Sequence, residues 1–252
     1  GALQTTCGVD APLSLPMRLA AEAVGNAEPT WEELVGAAPK LWETPEQLRE
    51  WSRALGPGPV SPPGVPAAPA PEAREPKRAC DVASAAPFAP TNLRLFRQTW
   101  AAIALLCAPL LARDAGRARV AFLPMARGAR ALAAPLRVVE SCPASLLKRA
   151  GLYDRPYKGK AADERRARER ILQHAVAEGF PVGGEGPEAS AVVRLAEPAP
   201  ELRAALLATP GADALDAVLA AMATATSILR PGFPAPFEGA DAAHEVEGAV
   251  YY

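Results

Sequence analysis

The chain has 252 residues, half of them hydrophobic, and its 27 basic and 28 acidic residues leave a formal net charge of -1. A net charge this close to zero does not by itself attract nucleic acid or membranes. Binding to either would need a local patch of positive charge. We predict one cytoplasmic domain over residues 1–252 with no membrane partner. The cysteines form no metal-type pairs, the longest apolar run is too short to span a bilayer, and the N-terminus lacks signal-peptide features.

The predicted elements alternate between strands and helices along the chain. Residues 3–10 favour a first strand, and 119–123 and 136–140 favour two buried strands with a short Ala-rich helix between them. The closing residues "EVEGAVYY" favour a last strand. Predicted helices occupy 31–55, interrupted at Pro39 and Pro45 with Thr44 capping the second piece, then a segment from Asn92 with an apolar stripe, 143–151 and 163–179. This order predicts an α/β layered domain.

A proline-rich segment lies within that domain. Residues 56–76 carry eight prolines and three glycines and few large apolar residues. Such a composition is typical of an exposed, irregular loop rather than of a regular element.

Four carboxylates stand at positions where α/β proteins bind ligands. Asp10 ends a predicted strand, Glu140 ends another, and Asp213 and Asp216 open an otherwise apolar helix, "DALDAVLAAMATA". Strand ends and helix starts gather at one edge of an open α/β sheet. Half-buried acids need a positive partner there, and carboxylate oxygens suit a hard divalent cation such as magnesium. The carboxylates are therefore candidate metal ligands.

Each acid also has a structural explanation. Asp213 is a good N-cap, and Asp216 would favour the positive end of the helix dipole. Glu140 can pair with Arg137, and Asp10 can form an Asx-turn. The sequence leaves both the structural and the ligand roles open.

Four motifs in this order resemble a known family: "GVDAPLSLP", "VVESCPASLLKRAGL", "YKGK" and "DALDAVLAAMATA". They are similar to domain-of-unknown-function family 429, a predicted nuclease family of the ribonuclease H-like superfamily. The resemblance spans most of the chain apart from the proline-rich loop. It implies a ribonuclease H-like mixed sheet flanked by helices, with that loop as an insertion.

The resemblance also implies site residues. Asp10, Glu140 and Asp216, with Asp213 beside it, would form an acidic cluster that holds Mg or Mn. In the family an earlier strand ending in Gly-x-Asp supplies the first acid, whereas nine residues precede Asp10 here. The pair "EG" at 247–248 is similar to the family's closing Glu-Gly strand.

One local patch is able to meet phosphates. The segment 148–170 contains nine basic and four acidic residues. This patch is the candidate nucleic-acid contact, with Lys158 and Lys160 in a loop to neutralise phosphate and Tyr157 to stack. For 165–170, a solvated helix face with ion pairs four residues apart is the better interpretation.

Two further residues, Arg78 and Cys142, are candidates for the site. Arg78 follows the proline-rich loop and either binds substrate or pairs with Asp81. Cys142 has no histidine in its neighbourhood and precedes Pro143, so we expect it to start a helix rather than to act as a nucleophile.

The sequence thus supports two functional hypotheses. The first is a Mg- or Mn-dependent phosphodiesterase or nuclease of ribonuclease H-like type. The second is a non-catalytic module that uses the same fold to bind a phosphorylated ligand or a protein partner.

Overall fold

The computed structural model describes residues 4–56, 75–114, 119–126, 133–182, 191–233 and 243–252. The structure is mixed α/β, with about 52% helix and a parallel sheet accompanied by helices. The predicted α/β class is therefore confirmed. The proline-rich segment 56–76, except at its ends, and most of the predicted Ala-rich helix after residue 123 lie outside the described residues.

The strands are β1 (Thr5–Val9), β2 (Val120–Leu123), β3 (Leu136–Ser141), β4 (Phe180–Pro181), β5 (Val192–Val193) and β6 (Val250–Tyr251). The larger sheet has the order β1-β3-β2, and β6 pairs with β3 in parallel. In that pair Glu140 lies opposite Val250, and Ser141 lies opposite Tyr251. β4 and β5 form a separate antiparallel pair. The strands predicted at 3–10, 119–123 and 136–140 are confirmed to within two residues.

The helices are α1 (Met17–Val24), α2 (Trp31–Leu41), α3 (Pro45–Ala54), α4 (Ala79–Ala83), α5 (Phe96–Trp100), α6 (Ala108–Asp114), α7 (Pro143–Arg149), α8 (Ala162–Ala177), α9 (Pro200–Ala208), α10 (Asp213–Ile228) and α11 (Ala243–Glu247). Among the described residues no single helix is long and apolar enough to span a membrane. Within the described part of the chain, the pair α9 and α10 reaches that length and apolarity when taken together, and the two helices are bent by 108° relative to each other.

The chain divides into two compact units that alternate along the sequence. The first unit comprises Gly1–Thr5, Ala11–Val138 and Phe237–Ala249, and the second comprises Thr6–Asp10, Val139–Pro236 and Val250–Tyr252. The single domain predicted over 1–252 stays a prediction.

In the first unit, α2 continues through a proline that was predicted to break it. Pro39 lies inside the helix, which runs on to Leu41. The helix is held at its start by a capping box in which Thr30 and Glu33 bond each other's main chain. The cap predicted at Thr44 is confirmed at the start of α3, where Thr44 and Gln47 form a second capping box.

The helix predicted from Asn92 begins later, at Phe96. Asn92 Oδ1 instead accepts the main-chain N–H of Arg94, which holds 92–94 in a turn, and Leu93 is 61% exposed. From Ala101 to Cys107 the chain is π-helical before it continues as α6. The buried members of the predicted stripe are Phe96, Ile103 and Cys107.

The predicted last strand is a helix followed by a short strand. α11 ends where Gly248 adopts a left-handed φ of 81° and donates its N–H to the carbonyl of His244. Only Val250 and Tyr251 then form β6. The strand prediction for "EVEGAVYY" was therefore wrong over its first half. The β-forming residues there favoured a strand, but Gly248 ends a helix.

The second unit has its own hydrophobic core, in which α10 packs beside α7 and α8. Most of the surface of α10 packs into this core, which explains why so few polar residues follow Asp216 along the helix. The buried side chains of this core are Leu146, Leu147, Leu152, Tyr157, Ala167, Ile171, Ala175, Phe180, Ala212, Leu215, Leu219, Met222 and Ala223.

Candidate functional site

Two of the predicted acids come together where β1 meets α10. A Cβ atom built on Gly8 would collide with Thr224 Oγ1 and would lie 3.1 Å from the carbonyl oxygen of Ala220, so β1 and α10 are in close contact at this point. Asp10 follows Gly8 by two residues, just past the end of β1, and the charge of Asp216 raises its pKa. Asp216 lies one helical turn before Ala220. The backbone contact at Gly8 thus brings the end of β1 beside the head of α10.

Glu140 lies on the other face of the sheet. Its neighbour Ser141 points toward Gly8, since Ser141 Oγ would lie 3.0 Å from a Cβ on that glycine. Successive side chains of a strand point to opposite faces, so Glu140 points away from α10. It is 5% exposed, and its charge is the smallest of those that raise the pKa of Asp10. The structure therefore groups Asp10 with Asp216 more closely than with Glu140.

Asp216 is buried and bonded through both carboxylate oxygens. Tyr157 donates its hydroxyl to Oδ1 at 2.8 Å, and Lys158 Nζ lies 2.5 Å from Oδ2. Burial and then the Asp216 charge raise the pKa of Tyr157, so its hydroxyl remains a donor. The two partners come from consecutive residues of one loop and account for the buried charge.

Lys158 stands in the combined field of three aspartates. Desolvation would lower the pKa of Lys158, but the hydrogen bond to Asp216 and the charges of Asp216, Asp10 and Asp213 outweigh it and raise the pKa. We call these four residues, Asp10, Asp213, Asp216 and Lys158, the aspartate site. Three negative charges around one ammonium leave the aspartate site with a net negative charge.

The excess negative charge of the aspartate site contributes to a raised pKa of Asp10. Although Asp10 is exposed by surface area, loss of water around its carboxyl group raises its pKa, and the negative charge of Asp216 raises it further. Glu140 adds to the shift and Lys158 opposes it, which leaves the pKa of Asp10 at about 6. This carboxyl therefore titrates close to neutral pH.

The loop that carries Tyr157 and Lys158 is held by an arginine that the sequence assigned to a solvated helix face. Arg168 is only 3% exposed. Its Nη1 donates to the carbonyl oxygens of Tyr157 at 2.6 Å and Gly159 at 3.1 Å, and its Nε donates to that of Leu207 at 3.2 Å. The spacing of Arg168 in the sequence could have indicated its burial. Arg168 lies three and four residues before Ile171 and Leu172, and therefore on the same buried side of α8.

Gly159 fixes the same loop from a second side. Its main-chain N–H donates to the carbonyl of Pro210 at 2.7 Å, just before α10 begins. Its φ is 146°, and a Cβ there would collide with the carboxylate of Glu164. The loop and the head of α10 are thus joined by a main-chain hydrogen bond, which helps to set the position of Lys158 relative to Asp216.

Several predicted roles change in the structure. Tyr157 is 4% exposed with its ring in the core, so it offers no face for stacking on a base, whereas Tyr153 is 38% exposed. Asp213 is not the N-cap of α10, because that position is Ala212 in a left-handed conformation; Asp213 is exposed in the first turn. Lys160 is exposed and is the loop lysine that forms no ion pair with the described residues.

The basic stretch 148–170 is otherwise a charge-paired surface. Arg165 pairs with Glu169 and Arg166 with Asp163 on α8, while Arg170 pairs with Asp154. The interpretation of 165–170 as a solvated, ion-paired face is confirmed except at Arg168. These pairs leave less positive charge for phosphates than the nine-to-four count indicates.

Arg78 belongs to the first unit and has no exposed surface. Its guanidinium bonds both carboxylate oxygens of Asp81, at 2.7 and 3.1 Å, and the carbonyl of Glu247 at 3.1 Å. Glu247 in turn accepts the N–H groups of Met17 and Ala79, each at 2.6 Å, at the first turns of α1 and α4. The predicted Arg78–Asp81 pair is confirmed, and a fully buried Arg78 is unable to bind substrate.

Cys142 is the N-cap of α7, as expected from the proline that follows it. Burial raises the pKa of the Cys142 thiol, and the charges of Asp10 and Glu140 add to the rise. A raised pKa keeps the thiol protonated and poorly nucleophilic.

The donor chemistry of the aspartate site fits a hard divalent cation. Asp10, Asp213 and Asp216 offer carboxylate oxygens only, which Mg and Mn prefer. Ser141 adds a hydroxyl that is 1% exposed and has no hydrogen-bond partner within the described ranges. In those ranges, however, no three His, Cys, Asp or Glu side chains form a group that could hold a metal ion, so the three aspartates do not make up a metal site in this arrangement.

Comparison of this chain with protein-family models, with curated proteins and with solved structures gives no match. The function of the chain is therefore inferred from the residues of the aspartate site.

Proposed function

We propose that the chain is a divalent-cation-dependent phosphodiesterase of ribonuclease H-like type, with Asp10, Asp213 and Asp216 as the carboxylates that would hold Mg or Mn. The observation that carries the proposal is the buried carboxylate of Asp216 with Lys158 Nζ 2.5 Å from its Oδ2, and the charges of Asp10 and Asp213 act on the same ammonium and raise its pKa. Glu140 contributes negative charge from the opposite face of β3.

Charge decides how a phosphate would meet this site. A phosphodiester is an anion, and three carboxylates repel it unless additional positive charge lies between them. A divalent cation supplies Lewis-acid stabilisation of the charge that develops on the phosphate. The nucleic-acid backbone is the substrate class that fits, with the exposed Lys160 as the group that meets a neighbouring phosphate.

Residues of the chain have separate tasks in this proposal. Tyr157 keeps Asp216 oriented by its hydroxyl, and the buried ring fixes the hydroxyl in place. Asp10 would supply a further carboxylate oxygen to the cation beside that of Asp216. Arg168 holds the loop in position and, being buried, does not touch substrate.

The test is calorimetric titration of Mn²⁺ into the wild-type chain and the Asp216→Asn variant, with thermal melts of both. Asparagine keeps the size and one acceptor oxygen but removes the charge, so we expect loss of Mn²⁺ binding with the fold retained. The matched control is Asp163→Asn, an exposed carboxylate paired with Arg166 on α8, which should bind Mn²⁺ like the wild type. Cleavage of a fluorescent single-stranded oligonucleotide should require Mg²⁺ or Mn²⁺ and should also be lost in Asp216→Asn.

Two results would contradict the proposal. One is a wild-type chain with no measurable Mn²⁺ affinity. The other is unchanged affinity in Asp216→Asn with a stability loss of about 1 kcal/mol, the result expected of an aspartate that only stabilises its helix. Mn²⁺ binding without cleavage would instead favour the non-catalytic binding module.

A further inference from the structure

A cleft of about 220 Å³ lies in the second unit, between the end of α7, the end of α8 and the β4–β5 pair. It shares no residue with the aspartate site. Apolar side chains form most of its wall, and they are Leu146, Ala150, Phe180, Pro181 and Val192. A void of roughly 150 Å³ with apolar walls is enough to hold benzene. The cleft therefore has room for one six-membered ring with a small substituent.

Two rings at the cleft favour an aromatic ligand. The centroids of His174 and Phe180 lie 5.3 Å apart, and the rings meet at 65°. Phe180 is 1% exposed and belongs to the core of the second unit, so its position is fixed. Aromatic rings attract further rings in edge-to-face and offset arrangements.

The carboxylate at the cleft is directed to the histidine. His174 Nδ1 lies 3.3 Å from Glu178 Oε2, and the Glu178 side chain is 74% exposed. Solvent screens a charge in such a position. Glu178 therefore orients the His174 ring and contributes little field inside the cleft.

Arg149 brings positive charge to the cleft. Its side chain is partly buried, and Nη1 donates to the main-chain carbonyl of Tyr252 at 3.0 Å. Within the described part of the chain, Arg149 forms no ion pair with a carboxylate. The other N–H groups of the guanidinium remain for a ligand, and their planar fork matches the two oxygens of a carboxylate.

We propose that the cleft lined by Arg149, His174 and Phe180 binds a small aromatic carboxylate, with the carboxylate on Arg149 and the ring against the apolar wall. This inference goes beyond the proposed function and does not rest on it. Charge selects the ligand class, because an anion gives the partly buried guanidinium a partner, whereas an organic cation would be repelled.

The first test titrates para-fluorobenzoate and para-fluorobenzamide into the wild-type chain and follows binding by fluorine NMR. The two molecules have nearly the same shape, and only the benzoate is charged at neutral pH. We expect the benzoate to bind about tenfold more tightly or better, since its bonds to Arg149 are charge-assisted. Cyclohexanecarboxylate has the same charge without an aromatic ring and should compete about threefold more weakly or worse.

The second test locates the ligand with variants. Arg149→Gln should weaken fluorobenzoate binding about tenfold and leave fluorobenzamide binding within about twofold. Lys148→Gln is the matched control, because it removes an exposed charge from the neighbouring residue of α7, outside the cleft. Its affinity for both ligands should stay within about twofold of the wild type. Ala150→Leu adds bulk to the wall and should weaken both ligands.

Arg149 also bonds Tyr252, so the fold of each variant is checked by thermal melts. Arg149→Lys is the second variant at this position. It keeps the charge but loses the planar fork, and it should weaken fluorobenzoate binding by a smaller factor than Arg149→Gln.

The outcomes leave no result neutral. Absence of fluorobenzoate binding to the wild type overturns the proposal, and equal affinity for the benzoate and the amide overturns the role of charge. Fluorobenzoate binding that is unchanged in folded Arg149→Gln and Ala150→Leu overturns the site, and equal competition by cyclohexanecarboxylate overturns the aromatic ligand class. Mn²⁺ binding tests the aspartate site separately, so either proposal is able to fail while the other stands.

Discussion

The guanidinium of Arg168 donates a 2.6 Å hydrogen bond to the main-chain carbonyl of Tyr157, the residue whose hydroxyl contacts Asp216. This bond joins the middle of α8 to the loop that serves the aspartate site. Because Arg168 makes two more bonds to carbonyl oxygens, at Gly159 and Leu207, one side chain holds three separate main-chain positions.

Replacing Arg168 should therefore destabilise the second unit. In Arg168→Met three carbonyl oxygens lose their donor, and we expect a loss of about 2–4 kcal/mol in the free energy of unfolding, measured by urea denaturation. Arg166→Met, on the exposed face of the same helix and paired with Asp163, should cost less than about 1 kcal/mol. Equal costs for the two variants would show that the buried clamp is no stronger than a surface ion pair.

The contact at Gly8 makes a second prediction. A methyl group at this position would collide with Thr224 Oγ1, and Gly8→Ala should cost about 1–3 kcal/mol through overpacking. Thr224→Ala removes the colliding oxygen together with its bond to the carbonyl of Ala220. The double variant should therefore be more stable than the sum of the single costs predicts, as measured in a double-mutant cycle. Strict additivity would mean that β1 and α10 do not touch at Gly8.

Asp10 should make the stability of the protein depend on pH. Its pKa of about 6 in the folded state lies above the ordinary value of 3.8, so the folded chain holds this proton more tightly than the unfolded chain. The resulting stabilisation is fully present below pH 3.8 and is lost as the pH rises through 6.

Thermal melts of wild type and Asp10→Asn in the presence of a chelator measure this effect. The variant should gain stability relative to the wild type as the pH increases from 4 to 7.5, because asparagine carries no charge to repel Asp216. A difference between the two proteins that stays constant over this range would exclude a raised pKa at Asp10.

In the first unit, loss of the Glu247 carboxylate should be costly. Its carboxylate accepts the N–H groups that begin α1 and α4, each at 2.6 Å. Glu247→Gln leaves one of those groups facing an NH₂ donor, and we expect a loss of about 2–3 kcal/mol. Glu28→Gln, at an exposed position in the same unit, should change stability by less than about 0.5 kcal/mol. A small cost at Glu247 would indicate that water replaces its hydrogen bonds.

Local signals in the sequence predicted much of the fold. The strands that contain Val120 and Val138 were found because β-branched and apolar residues run between proline turns. The capping box of Thr44 and the start of α7 at Pro143 depend on contacts within four residues, and both are confirmed. Where tertiary packing decides, the prediction was wrong: α2 continues through Pro39.

At the aspartate site, too, the sequence predicted what local motifs determine and missed what tertiary packing determines. Motif order drew attention to Asp10 and Asp216, and the structure sets their carboxylates in one field. It did not reveal that Glu140 points to the other face, since the parity of β3 relative to its neighbours is set by pairing over long distances. Nor did it single out Arg168, whose partners are carbonyl oxygens and therefore leave no trace in residue types.

The division into two units has a spectroscopic consequence. All four tryptophans of the chain, Trp31, Trp42, Trp51 and Trp100, belong to the first unit, and all four tyrosines, Tyr153, Tyr157, Tyr251 and Tyr252, belong to the second. Tryptophan fluorescence therefore reports on one unit, and tyrosine difference absorbance on the other, without any label. Superimposable denaturation curves from the two signals would identify a single cooperative transition, and separated midpoints would give each unit a stability of its own.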